Sequence, residues 1–324
     1  MQKFEGFFTF YYDTKNDKIF LEIKNFDKEF LYVHSLAAGL GNNDIGLDRG
    51  QLGGQKVVKF SASGNKVFLL QPNLNYRAIT NNELEKRAVE EAFAQSIIWG
   101  FTVDSETANG VLVDATAFFM NDAHQVAEKL RYAGQGNYHV DASRSALFLP
   151  RTKAFPENVE FEATLTFVGE PQSGLVASVT PSPDAITLRE HHSFVQLPDS
   201  NFVPRKSDPR AGYFHISFLD YASPIDEPIR KMYICKHRLE KKNPQAAISE
   251  AIEPIVYYLD PGVPEPIRSA LLDGAGWWNQ AFEAAGFTNA FQIKMLPEDA
   301  DPMDVRYNVI QWVHRSTRGW SYGG

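Results

Sequence analysis

The stretch that most constrains this chain is VEFEATLTFV at 159–168, where apolar and polar residues alternate from Val159 to Phe167. Val159, Phe161, Ala163, Leu165 and Phe167 share one parity, and Glu160, Glu162, Thr164 and Thr166 share the other. Extended backbone sends successive side chains to opposite faces, so this pattern predicts a strand with one apolar face. The same grammar runs from residue 1 to about 240. DTKNDK (13–18) separates FFTFYY from IFLEI (19–23), and Ala62-Ser63-Gly64-Asn65 separates VVKFS (57–61) from KVFLLQ (66–71). Both read as hairpins, the second with Gly and Asn where positive φ is needed. GYFHISFLDY (212–221) and RKMYICKHR (230–238) add two strands. One helix interrupts them: after Asn81-Asn82, Ala88, Val89, Ala92, Phe93 and Ile97 keep helical spacing, with Gly100 as the stop. DAHQVAEKL (122–130) predicts a shorter second helix. The chain carries no fixed-period repeat and no low-complexity tract.

Near residue 245 the pattern changes. EPIVYYLD (253–260) is a short, nearly all-apolar strand of the kind covered on both faces by helices. Pro266 suits a first helical turn, and Ile267, Ala270, Leu271, Gly274, Trp278, Ala281, Phe282 and Ala285 then keep an i, i+3, i+4 beat as far as Gly286. FQIKML (291–296) and VRYNVIQWVHR (305–315) read as further strands. The expected class is α+β: a β-rich N-terminal domain over 1–245 with one or two helices, then an incomplete α/β unit over 246–324. A sheet with a single crossover helix leaves one face uncovered, so residues 250–324 read as the first half of a domain.

Composition excludes several classes. A net charge of −8 over 324 residues argues against a basic nucleic-acid-binding face. No run approaches the ~18 apolar residues of a membrane span. The lone cysteine, Cys235, removes disulfide frameworks and Cys-based zinc sites. At the N-terminus, Glu5 and Gly6 interrupt the only candidate for the apolar stretch of an export signal.

No complete catalytic constellation emerges from the motifs, and no residue is singled out as catalytic, cofactor-binding or metal-ligating. GLGNNDIGLDRGQLGG (39–54) lacks the Gly-Lys-Ser/Thr of a phosphate loop, and Asp44 stands where a dinucleotide fingerprint needs its third glycine. Asn42, Asp44 and Asp48 offer oxygens for calcium, but the closing Glu of an EF-hand is missing, so the segment reads as a turn-forming loop. Among His34, His124, His139, His191, His192, His215, His237 and His314, no pair has the i, i+4 spacing of a helical zinc site. His191 and His192 point to opposite faces of any strand; with Glu190 they suit a site completed by distant residues or, the favoured reading, an exposed strand or turn. His314 reads as a structural histidine at the end of a candidate central strand. No G-x-S-x-G elbow occurs, and the basic stretch around Cys235 (Arg230, Lys231, Lys236, Arg238, Lys241, Lys242) reads as a solvated strand face.

Longer segments carry a resemblance. PIVYYLD, PEPIRSALLDGAGWWNQAFEAAGF and LPEDADPMDVRYNVIQWVHRSTRGWSYGG closely resemble the start of the catalytic domain in a family of large bacterial zinc-dependent metalloproteases of metzincin type. NNDIGLDRGQLG, QPNLNYRA, SRSALFLPRTKAFPENVEFEATLTF and HHSFVQLPD resemble that family's N-terminal domain of unknown function. The resemblance implies a first strand at 255–260, a helix backing the active site at about 265–285, strands at about 291–296 and 305–315, and a lead toward the cleft-lining strand around Arg318 to Gly323. It implies hydrolysis of peptide bonds by zinc-activated water, a peptide or protein substrate, and an exported location (periplasmic, cell-surface or extracellular). The family's H-E-x-x-H-x-x-G-x-x-H is absent from these residues. The 324-residue chain is therefore expected to be inactive and to bind no zinc tightly, with the motif lying beyond its end. The alternative reading is a non-catalytic, β-rich binding module.

Overall fold

In the computed structural model, which describes residues 1–319, the alternating segment becomes the strand Asn158–Pro171. It pairs antiparallel with Ala185–Val195 in a register that sets Phe161 opposite His192 and Glu162 opposite His191. This pair lies near one end of a 13-stranded sheet. Its path runs from Gln2–Phe4 through Thr9–Asp13, Lys18–Ile23, Gly110–Asp114, Ser96–Thr107, Lys66–Gln71, Leu52–Ser63 and Glu29–Ala38 to Ala185–Val195, Asn158–Pro171 and Gly136–Val140. Register shifts at Val33/Ser35, Leu69/Leu70, Val103/Ser105 and Arg189/Glu190 bend the strands. The sheet curls until distant parts of its path meet: the Phe7 N–H donates to the Phe155 carbonyl at 2.8 Å, and the rings of Phe10 and Phe161 lie 4.9 Å apart.

Phenylalanine fills the space this curl encloses. Phe119 stacks on Phe161 at 3.9 Å, and Phe30, Phe60, Phe101, Phe118 and Phe194 are buried around them. A second apolar cluster, with Leu36, Leu47, Leu165 and Phe167, packs against Val126 and Leu130 of the helix Val126–Tyr132. That helix begins four residues later than the sequence pattern predicts, because Asp122 accepts the Val126 and Ala127 N–H groups at 2.7 and 3.0 Å and so caps its start from outside.

The first helix needs a larger correction. Asn82 caps its start, accepting the Leu84 N–H at 3.1 Å, but the helix covers only Glu83–Ala92. Phe93 leaves the helical path and stacks on Tyr76 at 3.8 Å. Ile97 and Gly100, read as the end of the helix, instead belong to the strand Ser96–Thr107. Ile97, Ile98, Trp99, Phe101 and Val103 are β-formers, and partners on both sides, Lys66–Gln71 and Gly110–Asp114, override the local helical beat.

Past residue 245 the strands turn parallel. Ile255–Leu259 lies between Phe291–Met295 and Asn308–Ile310 in a three-stranded sheet. Two helices, Ile267–Gly276 and Trp278–Ala284, carry the crossover where the sequence predicts one. The strand expected over 305–315 is only Asn308–Ile310, since the following residues turn away to bond the glycine loop. Neither crossover helix buries a residue fully, and Trp277 and Trp278 are 65% and 62% exposed. Overall the chain is 39% strand and 15% helix, the β-rich class expected. No described helix is long and apolar enough to cross a membrane. Trp320–Gly324, which include most of the segment expected to lead to the cleft, lie outside the described residues.

Phe161→Ala is expected to cost about 3–5 kcal/mol, because the rings around it cannot collapse into the space left. Trp278→Ala should stay within about 0.5 kcal/mol, as for an exposed surface position. Urea denaturation of the two variants measures the contrast.

Candidate functional site

The sequence points to His191 and His192 as an exposed pair, and the structure corrects this: both are fully buried. They lie in the middle of Ala185–Val195, with the Asn158–Pro171 strand on one side and Glu29–Ala38 on the other. Strand alternation sends them into two different polar clusters.

On the outer face, His191 sits between two carboxylates. Its Nδ1–H donates to Glu162 Oε2 at 3.0 Å and its Nε2–H to Glu160 Oε2 at 2.5 Å. Burial, the largest influence, lowers the His191 pKa, but hydrogen bonds and charge attraction from Glu160 and Glu162 together outweigh it and raise the value to about 9. The ring is thus an imidazolium at neutral pH. Arg189 pairs with Glu162 at 2.9 Å while its guanidinium lies over the Phe148 ring. Ser193 Oγ donates to Glu160 Oε2 at 2.6 Å, and Asn158 Nδ2 donates to Glu160 Oε1. Two negative and two positive groups balance, as a buried set must.

On the inner face, His192 shares a 2.9 Å hydrogen bond between its Nδ1 and the Tyr32 hydroxyl, among phenylalanine rings. Burial lowers its pKa to about 3, so it is neutral. His34 and His124 meet Nδ1 to Nδ1 at 3.2 Å, and burial lowers them to about 4 and about 3. Gln51 Oε1 lies 3.2 Å from His124 Nε2 and only accepts, so His124 carries its proton there. His124 Nδ1 is then the acceptor for the His34 Nδ1–H. Gly53 makes room for this arrangement: a Cβ there would lie 1.9 Å from the His34 ring. Glu190, also fully buried, accepts the His124 N–H at 3.0 Å. Burial and the nearby Asp122 push its carboxyl up to about 9, so it stays protonated.

The remaining motif residues are separate from these clusters. His139, His215, His237, His314 and Cys235 are exposed, and among the described residues no group of three or more His, Cys, Asp or Glu is placed to hold a metal ion. The oxygens considered for calcium are partly occupied: Asn42 Oδ1 accepts the Asp44 and Ile45 N–H groups at 2.9 and 3.3 Å, and Asp48 pairs with Arg315 at 2.5 Å. His191, His192 and Glu190 are buried within the sheet, and each keeps its protonation state through the partners on its own face. Sequence reasoning missed Glu160 and Glu162 as partners of His191 because their alternation signalled a solvent-facing parity. The available hint was adjacency, since a Glu-His-His run in a strand must bury at least one polar group when both faces are covered.

These protonation states set a pH profile. His191 and Glu190 hold protons in the folded state up to about pH 9. Their stabilisation is complete below their unfolded values and is lost as pH rises through the folded ones. His34, His124 and His192, with folded values of about 4, 3 and 3, act oppositely: their contribution is present above the unfolded value and lost as pH falls. Thermal stability should therefore peak at about pH 6.5. Glu190→Gln, which mimics the protonated acid, should gain on the wild type by roughly 1 kcal/mol per pH unit between about pH 5 and 9. Denaturation curves across that range check both expectations.

Comparison with known proteins adds a family and no activity. A family model described as Domain of unknown function (DUF5118) matches residues 1–39, and another, Domain of unknown function (DUF5117), matches residues 50–242. No curated protein and no solved structure matches the chain. Since the second match covers more than half of the sequence, the chain belongs to the family of the domain of unknown function DUF5117.

Proposed function

We propose that this chain is the β-rich N-terminal region and the opening half of the catalytic domain of a zinc-dependent metallopeptidase of metzincin type. The observation that carries the reading is the all-parallel sheet of Phe291–Met295, Ile255–Leu259 and Asn308–Ile310 with its helical crossover. It occupies the segments whose sequence resembles the start of such a catalytic domain. The exposed Trp277 and Trp278 add support, since a helix layer with tryptophans this open suits a unit that packs against further structure.

The described residues do not fit zinc. No suitable group of ligands is assembled among them, and the three-histidine motif is absent from the sequence. In this reading the ligands and the general base would come from sequence following Gly324, and a zinc ion held there would supply the activated water that the resemblance implies. The substrate is then a peptide or protein and the location exported, both by resemblance.

The test is the intact mass and metal content of the protein from its native source. A mass well above 36.5 kDa with about one zinc per chain and chelator-sensitive peptide hydrolysis is the expected result. A native chain of 36.5 kDa without zinc or hydrolysis would overturn the reading in favour of a β-rich binding module. The 324-residue chain itself is expected to hydrolyse no peptide and to retain no zinc after dialysis.

A further inference from the structure

Polar contacts between the β-rich region and the stretch that carries the last strand of the parallel sheet gather at the two ends of one segment, 301–317. At the first end, Asn158 Nδ2 donates to the Met303 carbonyl at 2.8 Å, and Asn158 Oδ1 accepts the Val305 N–H at 3.2 Å. Lys153 pairs with Asp301 beside them. At the far end the partner is the glycine loop. The Ser316 N–H donates to the Gly41 carbonyl at 2.7 Å, and Arg49 donates to the Trp312 carbonyl at 2.9 Å. Asp48 meets Arg315 at 2.5 Å with side chains only 1% and 6% exposed. Gly50, at φ +80°, lies against Gln311, where a Cβ would approach Gln311 Oε1 to 2.5 Å. Between these fastenings the segment supplies Asn308–Ile310, which among the described residues is an edge strand paired with Ile255–Leu259.

We propose that the glycine loop and Asn158 form a docking surface for residues 301–317 of the same chain, so that the β-rich region is the scaffold holding the edge of the parallel sheet. A three-residue edge strand has too few ladder bonds to place a long segment by itself. The two sets of contacts place it from outside. This gives the loop at 39–54 a role other than phosphate or calcium binding: Gly50 leaves room for a distant segment of the chain, and the loop's buried carboxylate meets that segment's arginine. It also connects Glu160 of the His191 cluster to the docked segment. Glu160 takes one Asn158 N–H, which fixes the amide with its oxygen toward Val305 and its nitrogen toward Met303.

Hydrogen–deuterium exchange on the full 324-residue chain tests the proposal and needs no catalysis, so its outcome is separable from that of the peptidase reading. In Asp48→Asn, exchange at Ser316 should rise at least tenfold; in Asn158→Leu, exchange at Val305 should rise similarly. The amides of Phe161 and Phe194, inside the large sheet, should keep their wild-type rates in both. Arg49→Ala removes a half-exposed side chain and leaves the core untouched, and it should speed exchange over 312–317 several-fold even if the buried variants fail to fold. Wild-type rates over 303–317 in all folded variants would overturn the proposal. So would an increase of equal size in the large sheet, which would mean general loosening rather than undocking.

Discussion

A cationic imidazole held between two carboxylates inside a sheet is the constraint on which much of this structure rests. His191 is paired with Glu162 and Glu160 only while Asn158–Pro171 and Ala185–Val195 keep their register. A slip of one residue would reverse every side chain, driving Glu160 and Glu162 into the phenylalanine core and Phe161 among the charges. The penalty for an unpaired buried charge is several kcal/mol, more than most single contacts supply. The charges thus specify the register at a place where β-branched and aromatic residues alone would tolerate alternatives.

His191 and His192 also show how far environment governs an ionisable group. They are adjacent, equally buried and chemically identical, yet one is raised to about 9 and the other lowered to about 3. Desolvation pushes both down; only the outer face answers with two carboxylates. The inner face offers His192 a Tyr32 hydroxyl and aromatic rings, which do not outweigh the desolvation of a cation there. Glu190 completes the pattern as an acid kept protonated on the same inner side. Perturbed groups of this kind often mark active sites. Here the groups are buried inside the sheet, and their charges are answered by neighbours on their own face.

That division of labour gives the β-rich region a physical task. The Asp48–Arg315 pair and the amide of Asn158 tie the parallel unit to the larger sheet through the stretch that follows its crossover. On the peptidase reading, the stretch borders the region where substrate would lie, and a rigid neighbour would preorganise it. On the binding-module reading, the same contacts make the two sheets one mechanical body.

Much of the fold was legible from local pattern. The alternation at 159–168, the turn chemistry at 62–65 and the proline-led helix after 260 each correspond to an observed element, because each rests on a periodicity or a backbone preference within a few residues. Helical spacing past Ala92 misled, since residues 96–107 obey partners on neighbouring strands. The sites were far less legible. Nothing in one dimension tells that Glu160 and Glu162 are buried although they lie on the face away from the phenylalanine core, that Tyr32 reaches His192 across the sheet, or that Asp48 and Arg315, distant in sequence, are ion-pair partners. The amino-acid sequence by itself determined the β-rich class and the change of pattern near residue 250. Only the tertiary structure decided burial, protonation and docking, because these depend on what covers a face and which charges meet there, and both are set by contacts between segments far apart in the chain.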